Sequence, residues 1–371
     1  MERDILLLKN LTTDQLYARL APTGCTPRLA RLIQLAAIRR GELLADGPGL
    51  SRRVLDAVRR QASIPHLVAV DRVLSPVDGF ARYVFRGAGP DPFEAVRIPL
   101  MHRADDRKYI VCVSSQVGCA MGCVFCLTGR MGFRRNLAAW EIVDQVVKIQ
   151  ADSDAPVRGV VFMGMGEPLL NYEATMQAAR ILSEPCGMAI AGKAITISTV
   201  GIVPGIRRFT AEQPSFRLVV SLTSANPATR RALMPVEAQY PTSELVLALR
   251  EYHAVMGRRV ILAWTLMAGV NTRDQDAREL ADLTRGLPIK LDLIDVNDPT
   301  GRFKPPSADE RTAFRNALRE QLAMPVARRY SGGQDIQAAC GLLAGGASVV
   351  SAPRSITQVS AAADSLDVGI R

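Results

Sequence analysis

The alternation of two kinds of segment beyond residue 105 constrains the fold more than any other feature of this sequence. Short apolar segments alternate there with longer segments whose apolar residues recur at helical spacing. Six strands, each separated from the next by a helix, predict parallel pairing with right-handed crossovers. The expected fold class is α/β, a partial (β/α)6 barrel like a TIM barrel. The six predicted strands are RGVVFMG, KAITIST, FRLVVSL, RVILAWTL, IKLDLID and VARRYS.

Changes in sequence pattern divide the chain into four parts. Residues 1–64 carry apolar residues three and four apart, which predicts a small basic helical domain. Residues 65–100 hold short β-prone segments separated by turn signals such as PVDG, and predict a β-rich connector. The alternating pattern occupies residues 101–345. Residues 346–371 are rich in Ala, Ser and Gly and predict a loosely ordered tail.

Charge and cysteine content narrow the class of protein. The 371 residues carry a formal net charge of +10, which favours a polyanionic partner, nucleic acid above all. The arginine pairs 39–40, 52–53 and 59–60 belong either to solvated faces or to contacts with such a partner. Seven unevenly spread cysteines favour reduced thiols in the cytoplasm over a disulfide framework. The sequence shows neither a membrane-spanning apolar run nor a signal peptide.

Polar and glycine-rich sequences follow four of the predicted strands: GMGEP, STVG, SLTSAN and DVND. Parallel β/α barrels form their sites at the carboxyl ends of the strands, so these sequences predict one shared ligand pocket. Any one of these sequences could occur only because turns between strands and helices favour small residues. That explanation fits MGMGEP less well, because two glycines and a carboxylate follow a buried strand directly there. The pattern is neither G-x-G-x-x-G nor a P-loop, so it indicates neither a dinucleotide nor a triphosphate.

The stretch CAMGCVFC places Cys119, Cys123 and Cys126 within eight positions. A structural zinc site needs a fourth Cys or His, and the three histidines of the chain are all remote in sequence. An all-cysteine ferredoxin site also needs four thiolates. Three thiolates can hold a [4Fe-4S] cluster with one open iron. A small molecule that chelates through an amine and a carboxylate, such as S-adenosylmethionine (SAM), can fill that vacancy.

Several motifs then identify a family. C-x3-C-x2-C at the start of a β/α barrel is the signature of the radical SAM superfamily, and it implies the partial barrel of that type. The sequences CVSSQVGCAMGCVFC, GFRRNL, MGMGEPLLN, STVGIVPGI and DIQAACGLLAG resemble the RlmN/Cfr family of radical SAM RNA-adenine methyltransferases. The resemblance runs from about Glu94 to Gly345 and is weaker in the N-terminal domain, for which it implies RNA binding.

The resemblance implies the cofactor site residue by residue. Cys119, Cys123 and Cys126 would ligate a [4Fe-4S] cluster whose open iron binds SAM. The positions that match SAM contacts of the family are Gly166, Glu167, Ser198, Ser221, Leu222, Thr223 and Asn297.

The resemblance also implies a mechanism that uses two SAM molecules per turnover. Cys340 would take a methyl group from one SAM, and a radical from the second would activate that group for addition to C2 or C8 of adenine. Cys112 would resolve the covalent adduct through a disulfide with Cys340, and Glu94 would accept a proton. From the residues alone, Cys112 is more simply a small buried hydrophobe and Glu94 an exposed strand residue, while Cys340 favours neither interpretation.

The implied partners are ribosomal or transfer RNA and an electron donor such as flavodoxin or ferredoxin, with the enzyme a monomer. Thr223 stands where the family usually has histidine, and NDPTG replaces the family's N-P-F-P-G. These differences leave the RNA and the ring carbon open. Two alternatives remain: a radical SAM enzyme acting on a small molecule or peptide, and an iron–sulfur RNA-binding protein without turnover.

Overall fold

One ten-stranded mixed sheet runs through the structure, which is a computed structural model that describes residues 5–101 and 107–345. The predicted tail, residues 346–371, lies outside the described residues. Within the described ranges, no helix is both long enough and apolar enough to cross a membrane.

The N-terminal residues form a small helical domain with an apolar core of its own. Its first helix begins at a capping box, in which Thr12 and Gln15 exchange side-chain and backbone hydrogen bonds. Its two short strands pair in parallel, Leu6 with Ala62 and Leu7 with Ser63. The elements are β1 (Leu6–Leu7), α1 (Thr13–Leu20), α2 (Pro27–Leu35), α3 (Arg52–Gln61) and β2 (Ala62–Ser63).

Three antiparallel strands follow, in the part of the chain that the sequence predicts as a β-rich connector. The third of them pairs antiparallel with the strand Arg107–Cys112 of the main sheet. The connector therefore belongs to the main sheet, because its three strands are added to one edge of that sheet beside β6. The strands are β3 (Val68–Leu74), β4 (Ala81–Arg86) and β5 (Phe93–Met101).

The parallel part of the sheet forms the predicted partial barrel. Its strands, in spatial order, are β6 (Arg107–Cys112), β9 (Val157–Phe162), β10 (Ile195–Thr199), β11 (Arg217–Ser221), β12 (Val260–Leu266), β13 (Ile289–Asp295) and β14 (Ala327–Arg328). The crossovers between them carry α5 (Ala139–Ala151), α6 (Tyr172–Ser183), α7 (Val203–Glu212), α8 (Pro227–Leu233), α9 (Thr242–Met256), α10 (Asp274–Leu283) and α11 (Ala308–Leu322). Between β6 and α5 lie β7 (Gln116–Gly118), α4 (Leu127–Arg130) and β8 (Phe133–Asn136).

The membership of the parallel set differs from the sequence prediction by one strand. The predicted strand in VARRYS is present but short, because only Ala327 and Arg328 pair with β13 and both are exposed. One more backbone bond joins the segment to β13, from Arg329 N to Leu293 O at 2.8 Å, and the chain then continues as a loop. The additional strand is β6, which is not among the six predicted strands. It pairs in parallel with β9 and ends at Cys112.

A buried ion pair joins the N-terminal domain to the barrel. Lys9 Nζ lies 2.5 Å from the Asp144 carboxylate on α5, and both side chains are fully buried. The same carboxylate accepts a hydrogen bond from Leu67 N at 2.6 Å. Burial lowers the pKa of Lys9, and the attraction of Asp144 opposes that change. Since a lone buried charge is costly, the pair fixes the domain against α5.

Candidate active site

The three cysteines of CAMGCVFC line one cavity of about 170 Å³ at the carboxyl ends of the parallel strands. The loop that carries them follows β7 and ends where α4 begins. Local backbone contacts shape it: Cys126 N donates to Cys123 O at 3.1 Å, and Cys119 N donates to Gly132 O at 3.0 Å. A further bond to a remote residue, from Val124 N to Leu233 O at 3.0 Å, holds the middle of the loop, and the three thiols line the same cavity.

The chemistry of these thiols suits a metal cluster. Burial raises the pKa of Cys119 to about 12 and also raises the pKa of Cys123 and of Cys126. Such thiols become thiolates only when a metal takes the place of the proton. Among the described residues no three Cys, His, Asp or Glu side chains converge on a point where one ion could sit. A cubane does not need that convergence, because its three thiolates bind three different irons, and the three cysteines fit it.

Five of the seven predicted SAM contacts line the same cavity. The strand-end residues Gly166, Glu167, Ser198, Ser221 and Asn297 all contribute to its wall. They come from the ends of four neighbouring or nearby strands, β9, β10, β11 and β13, as the strand-end argument predicts. The geometry thus offers one pocket lined by both thiols and polar groups.

Glu167 is the buried carboxylate of this pocket. Its Oε1 accepts a hydrogen bond from Leu169 N at 3.0 Å, and its Oε2 accepts one from Val200 N at 2.9 Å. Burial raises the pKa of Glu167 to about 7, against the opposing effect of these hydrogen bonds. The carboxylate is therefore held in one orientation at the cavity wall, where a bound ammonium group would favour its ionised form.

Leu222 and Thr223 do not line the cavity, although the resemblance matches both to SAM contacts. Thr223 is fully buried in a left-handed backbone conformation with φ 63°. Its hydroxyl has no hydrogen-bond partner in the described structure. Its backbone is held instead, since Asn271 Nδ2 donates to Thr223 O at 2.8 Å. The family histidine is thus replaced here by a side chain turned into the protein.

Cys112 and Cys340 line a second cavity of about 310 Å³. Cys340 also lines the first cavity, so it lies where the two meet. Cys112 is buried and Cys340 is exposed, and both are free thiols. Burial raises the pKa of Cys112 to about 12, and the neighbouring Cys340 adds to the effect. Two thiols far apart in sequence are therefore brought to one place by the fold.

Glu94 lies on β5 and is fully buried, so the interpretation of an exposed strand residue is wrong. Its Oε2 accepts hydrogen bonds from Ala344 N at 2.6 Å and Gly345 N at 3.0 Å. Its Oε1 lies 3.2 Å from Arg82 Nη1. Glu94 is absent from the lining of both cavities described above. Its role as a proton acceptor stays a prediction, and its visible contacts hold the end of the Cys340 segment.

Two arginines lie at or beside the cavities although no sequence pattern predicted them as site residues. Arg329 lines both cavities, with Nη1 2.9 Å from Met163 Sδ. Arg230 is fully buried behind the first cavity and donates to Val200 O at 2.7 Å. It also pairs with Glu237 at 3.1 Å. Both lie in double-arginine sequences, RRYS and TRRAL, whose pattern does not show which member is turned inward.

Comparisons with known proteins agree with this geometry. Residues 113–283 match the Radical SAM superfamily. A "Probable RNA methyltransferase" of Myxococcus xanthus is 48% identical over 341 residues, covering 91% of this chain and 94% of that protein. The "Dual-specificity RNA methyltransferase RlmN" of Syntrophobacter fumaroxidans is 43% identical over 269 residues, covering 72% and 77%.

A solved structure shows the same likeness over nearly the whole chain. The crystal structure of a radical SAM methyltransferase from Sphaerobacter thermophilus matches with a TM-score of 0.82 and 38% identity. The match covers 92% of this chain and 99% of that one. With the three cysteines of CAMGCVFC and the strand-end residues lining one pocket, the chain belongs to the RlmN-type family of radical SAM RNA methyltransferases.

Proposed function

We propose that the protein methylates an sp2 ring carbon, C2 or C8, of an adenine in RNA, with Cys340 carrying the transferred carbon as S-methylcysteine and two SAM molecules used per turnover. The observation that supports this most is the position of Cys340. It lies between the cavity lined by the three cluster cysteines and the cavity that holds Cys112. A thiol in that position can react with a molecule bound in the first cavity and with Cys112 in the second cavity.

The cofactor site supplies the radical chemistry. A [4Fe-4S] cluster bound by Cys119, Cys123 and Cys126, with SAM at its open iron, would supply one electron to cleave SAM and start hydrogen abstraction. Glu167, Ser198 and Asn297 would hold SAM through its amino, carboxylate and ribose groups.

A carbon bound to the protein suits this substrate. The amidine carbons of adenine are electrophilic, so direct transfer of the electrophilic methyl group of SAM fails there. A methyl group first attached to Cys340 Sγ reaches the base as a carbon radical, and the covalent bond to the base holds the reacting atoms together. The adduct would become a closed-shell thioether by losing one proton, with Glu94 as the proposed acceptor, and by returning one electron to the oxidised cluster that Cys119, Cys123 and Cys126 would hold.

Cys112 completes the reaction in this proposal. Its thiolate attacks Cys340 Sγ, forming a disulfide as the sulfur–carbon bond breaks. The electron pair of that bond leaves with the carbon, which takes a proton and becomes the methyl group of the product. A cellular dithiol then reduces the disulfide. Such attack needs the Cα atoms within about 4.4–6.8 Å at that stage.

RNA is the proposed substrate because both curated relatives described above are named RNA methyltransferases, and because the net charge of +10 favours a polyanion. In the N-terminal domain Arg52, Arg53 and Arg60 are exposed and available to phosphates. Arg39 instead donates to Gly187 O at 2.8 Å and so helps to fix the domain. The enzyme is proposed to act in the cytoplasm as a monomer, on ribosomal or transfer RNA, with flavodoxin or ferredoxin as reductant.

The test is anaerobic reconstitution of the purified protein with iron and sulfide, followed by incubation with methyl-labelled SAM, a reductant and total RNA. Nucleoside mass spectrometry should find the label in 2-methyladenosine or 8-methyladenosine. The Cys340→Ala variant should bind iron normally and give no labelled adenosine. Intact cluster with no methylated adenosine in the wild type would overturn the RNA assignment. Label in another molecule of the extract would favour a small-molecule or peptide substrate.

A further inference from the structure

The loop that carries Cys340 is held by carboxylates from the antiparallel strands. This loop, residues 331–345, follows the last parallel strand and has no helix or strand of its own. Because Cys340 is exposed, packing of its own side chain does not fix its position. Contacts elsewhere in the loop must fix it.

Asp78 holds the beginning of this loop. It lies in the turn between β3 and β4, and its Oδ2 accepts a hydrogen bond from Gly333 N at 2.8 Å. The same oxygen accepts the hydroxyl of Tyr330 at 3.1 Å. The ring of Tyr330 packs edge-on against Phe80, with centroids 6.2 Å apart. Although burial opposes it, the N–H of Gly333 and further hydrogen bonds lower the pKa of Asp78, so the group is ionised.

Glu94 holds the other end. The two backbone N–H groups that it binds, those of Ala344 and Gly345, follow Cys340 by four and five residues. The two carboxylates therefore bind the loop on both sides of the thiol. Both come from the three-stranded antiparallel extension, and neither lines the cavity of the cluster cysteines.

Between these ends the loop touches the barrel. Asn297 Nδ2 donates to Cys340 O at 3.3 Å, and Leu127 N donates to Gly341 O at 2.8 Å. These contacts orient the backbone at Cys340, while the carboxylates fix where the loop enters and leaves. The hydrogen bonds at the two ends of the loop are strengthened because their acceptors, Asp78 and Glu94, are carboxylates.

We propose that Asp78 is a positioning residue that, together with Glu94, clamps the loop so that Cys340 stands opposite Cys112. The antiparallel extension is then part of the thiol machinery and not only a connector. The consequence for adenine methylation rests on the proposed function, whereas the consequence for the two thiols does not.

The first test measures the thiols directly. The reconstituted full-length protein is equilibrated anaerobically with glutathione buffers of increasing oxidation, and the Cys112–Cys340 disulfide is quantified by mass spectrometry. The result gives the effective concentration of one thiol at the other. Asp78→Ala should lower it by about tenfold to a hundredfold, since misplacement by an ångström is costly for such pairs.

Matched variants separate positioning from loss of folding. Tyr330→Phe removes one of the two bonds to Asp78 Oδ2 and should give a smaller loss of effective concentration. Asp78→Asn keeps one oxygen acceptor and should recover part of the loss. Val77→Ala changes a 76% exposed neighbour in the same turn and should leave the value unchanged. Iron content should be unaffected in all four variants.

The second test uses the methylation assay. Asp78→Ala should lower kcat by a factor similar to the loss of effective concentration, with KM for RNA unchanged. An unchanged disulfide equilibrium in folded Asp78→Ala and Tyr330→Phe protein would overturn the clamp. If the disulfide equilibrium shifts but the wild type methylates no adenosine, the clamp stands and the proposed function fails.

Discussion

The two cysteine-bearing loops of the active site are built in opposite ways. The loop of Cys119, Cys123 and Cys126 is held by backbone hydrogen bonds, one of them inside the loop from Cys126 N to Cys123 O, and its thiols are buried or half-buried. The Cys340 loop presents an exposed thiol and is held by groups as remote as Asp78 and Glu94. The first loop is thus held through its backbone, whereas the second is held by carboxylate side chains from another part of the sheet.

The largest difference between the loops should appear when a cysteine is removed from each. Cys123→Ala should abolish both iron binding and adenosine methylation, because a cubane with two protein thiolates loses a covalent ligand. Iron and sulfide analysis with the labelled-SAM assay checks this. Cys25→Ala, a buried cysteine of the N-terminal core, is the control and should retain both. Full iron content in Cys123→Ala would contradict the assignment of the cluster.

Removing the thiol of Cys340 or of Cys112 should stop the reaction without changing iron binding. Cys340→Ala should bind iron and SAM as the wild type does, but should yield no methylated RNA. Cys112→Ala should instead accumulate RNA joined covalently to protein, since the thiol that breaks the bond is missing. Denaturing gels with labelled RNA detect the adduct. Turnover by Cys112→Ala at the wild-type rate would contradict the resolving role.

The same contrast explains how much the sequence could predict. The spacing of Cys119, Cys123 and Cys126 is local, and the strand-end position of Glu167 follows from the alternation of strands and helices. These predictions needed no knowledge of remote contacts. The fold class follows from the same alternation and is confirmed by the sheet order and by the solved relative.

What the sequence could not show depends on contacts between distant segments. Asp78 sits in PVDG, which indicates an ordinary turn, and its partner Gly333 is 255 residues away. The position of Arg329 at both cavities could not be predicted from VARRYS, an apolar and basic segment with strand character. Only two residues of that segment pair with β13. For Glu94, the alternation along β5 did not show that a loop from the other end of the chain covers it.

Adding a methyl group to a glycine in each loop sharpens the comparison. Gly118, the last residue of β7 directly before the cluster loop, has φ 72°, and a Cβ there would lie 1.8 Å from Gly132 O, the acceptor of the bond from Cys119 N. Gly341 has φ 87°, but its Cβ would meet Phe125 O only at 3.4 Å. Gly118→Ala should therefore cost the left-handed strain of about 1–3 kcal/mol and a backbone clash in addition. Gly341→Ala should cost that strain alone, about 1–3 kcal/mol, without the clash.

Thermal unfolding and iron retention measure this difference. Gly118→Ala should lose iron on dilution faster than the wild type, whereas Gly341→Ala should retain iron and slow methylation. Gly257→Ala, at a positive-φ helix end with open space around its Cβ, controls for backbone strain alone. Equal iron loss in the Gly118 and Gly341 variants would mean that the two loops are not held independently.

The smallest expected effect comes from a single hydroxyl next to Cys340. Ser331 Oγ accepts hydrogen bonds from Cys340 N at 3.3 Å and Asn297 Nδ2 at 3.1 Å. Because Ser331 is only half-buried, water can replace its oxygen in Ser331→Ala, and the free energy of unfolding should fall by only about 0.5–1.5 kcal/mol. The rate of Cys340 alkylation by iodoacetamide should change by no more than about threefold, since the carboxylates still hold both ends of the loop. Ser183→Ala, which removes the bond from Ser183 Oγ to Arg180 O on α6, is the control for losing one hydroxyl. A larger change in Ser331→Ala than in Asp78→Ala would place the control of Cys340 inside its own loop and remove the contrast with the cluster loop.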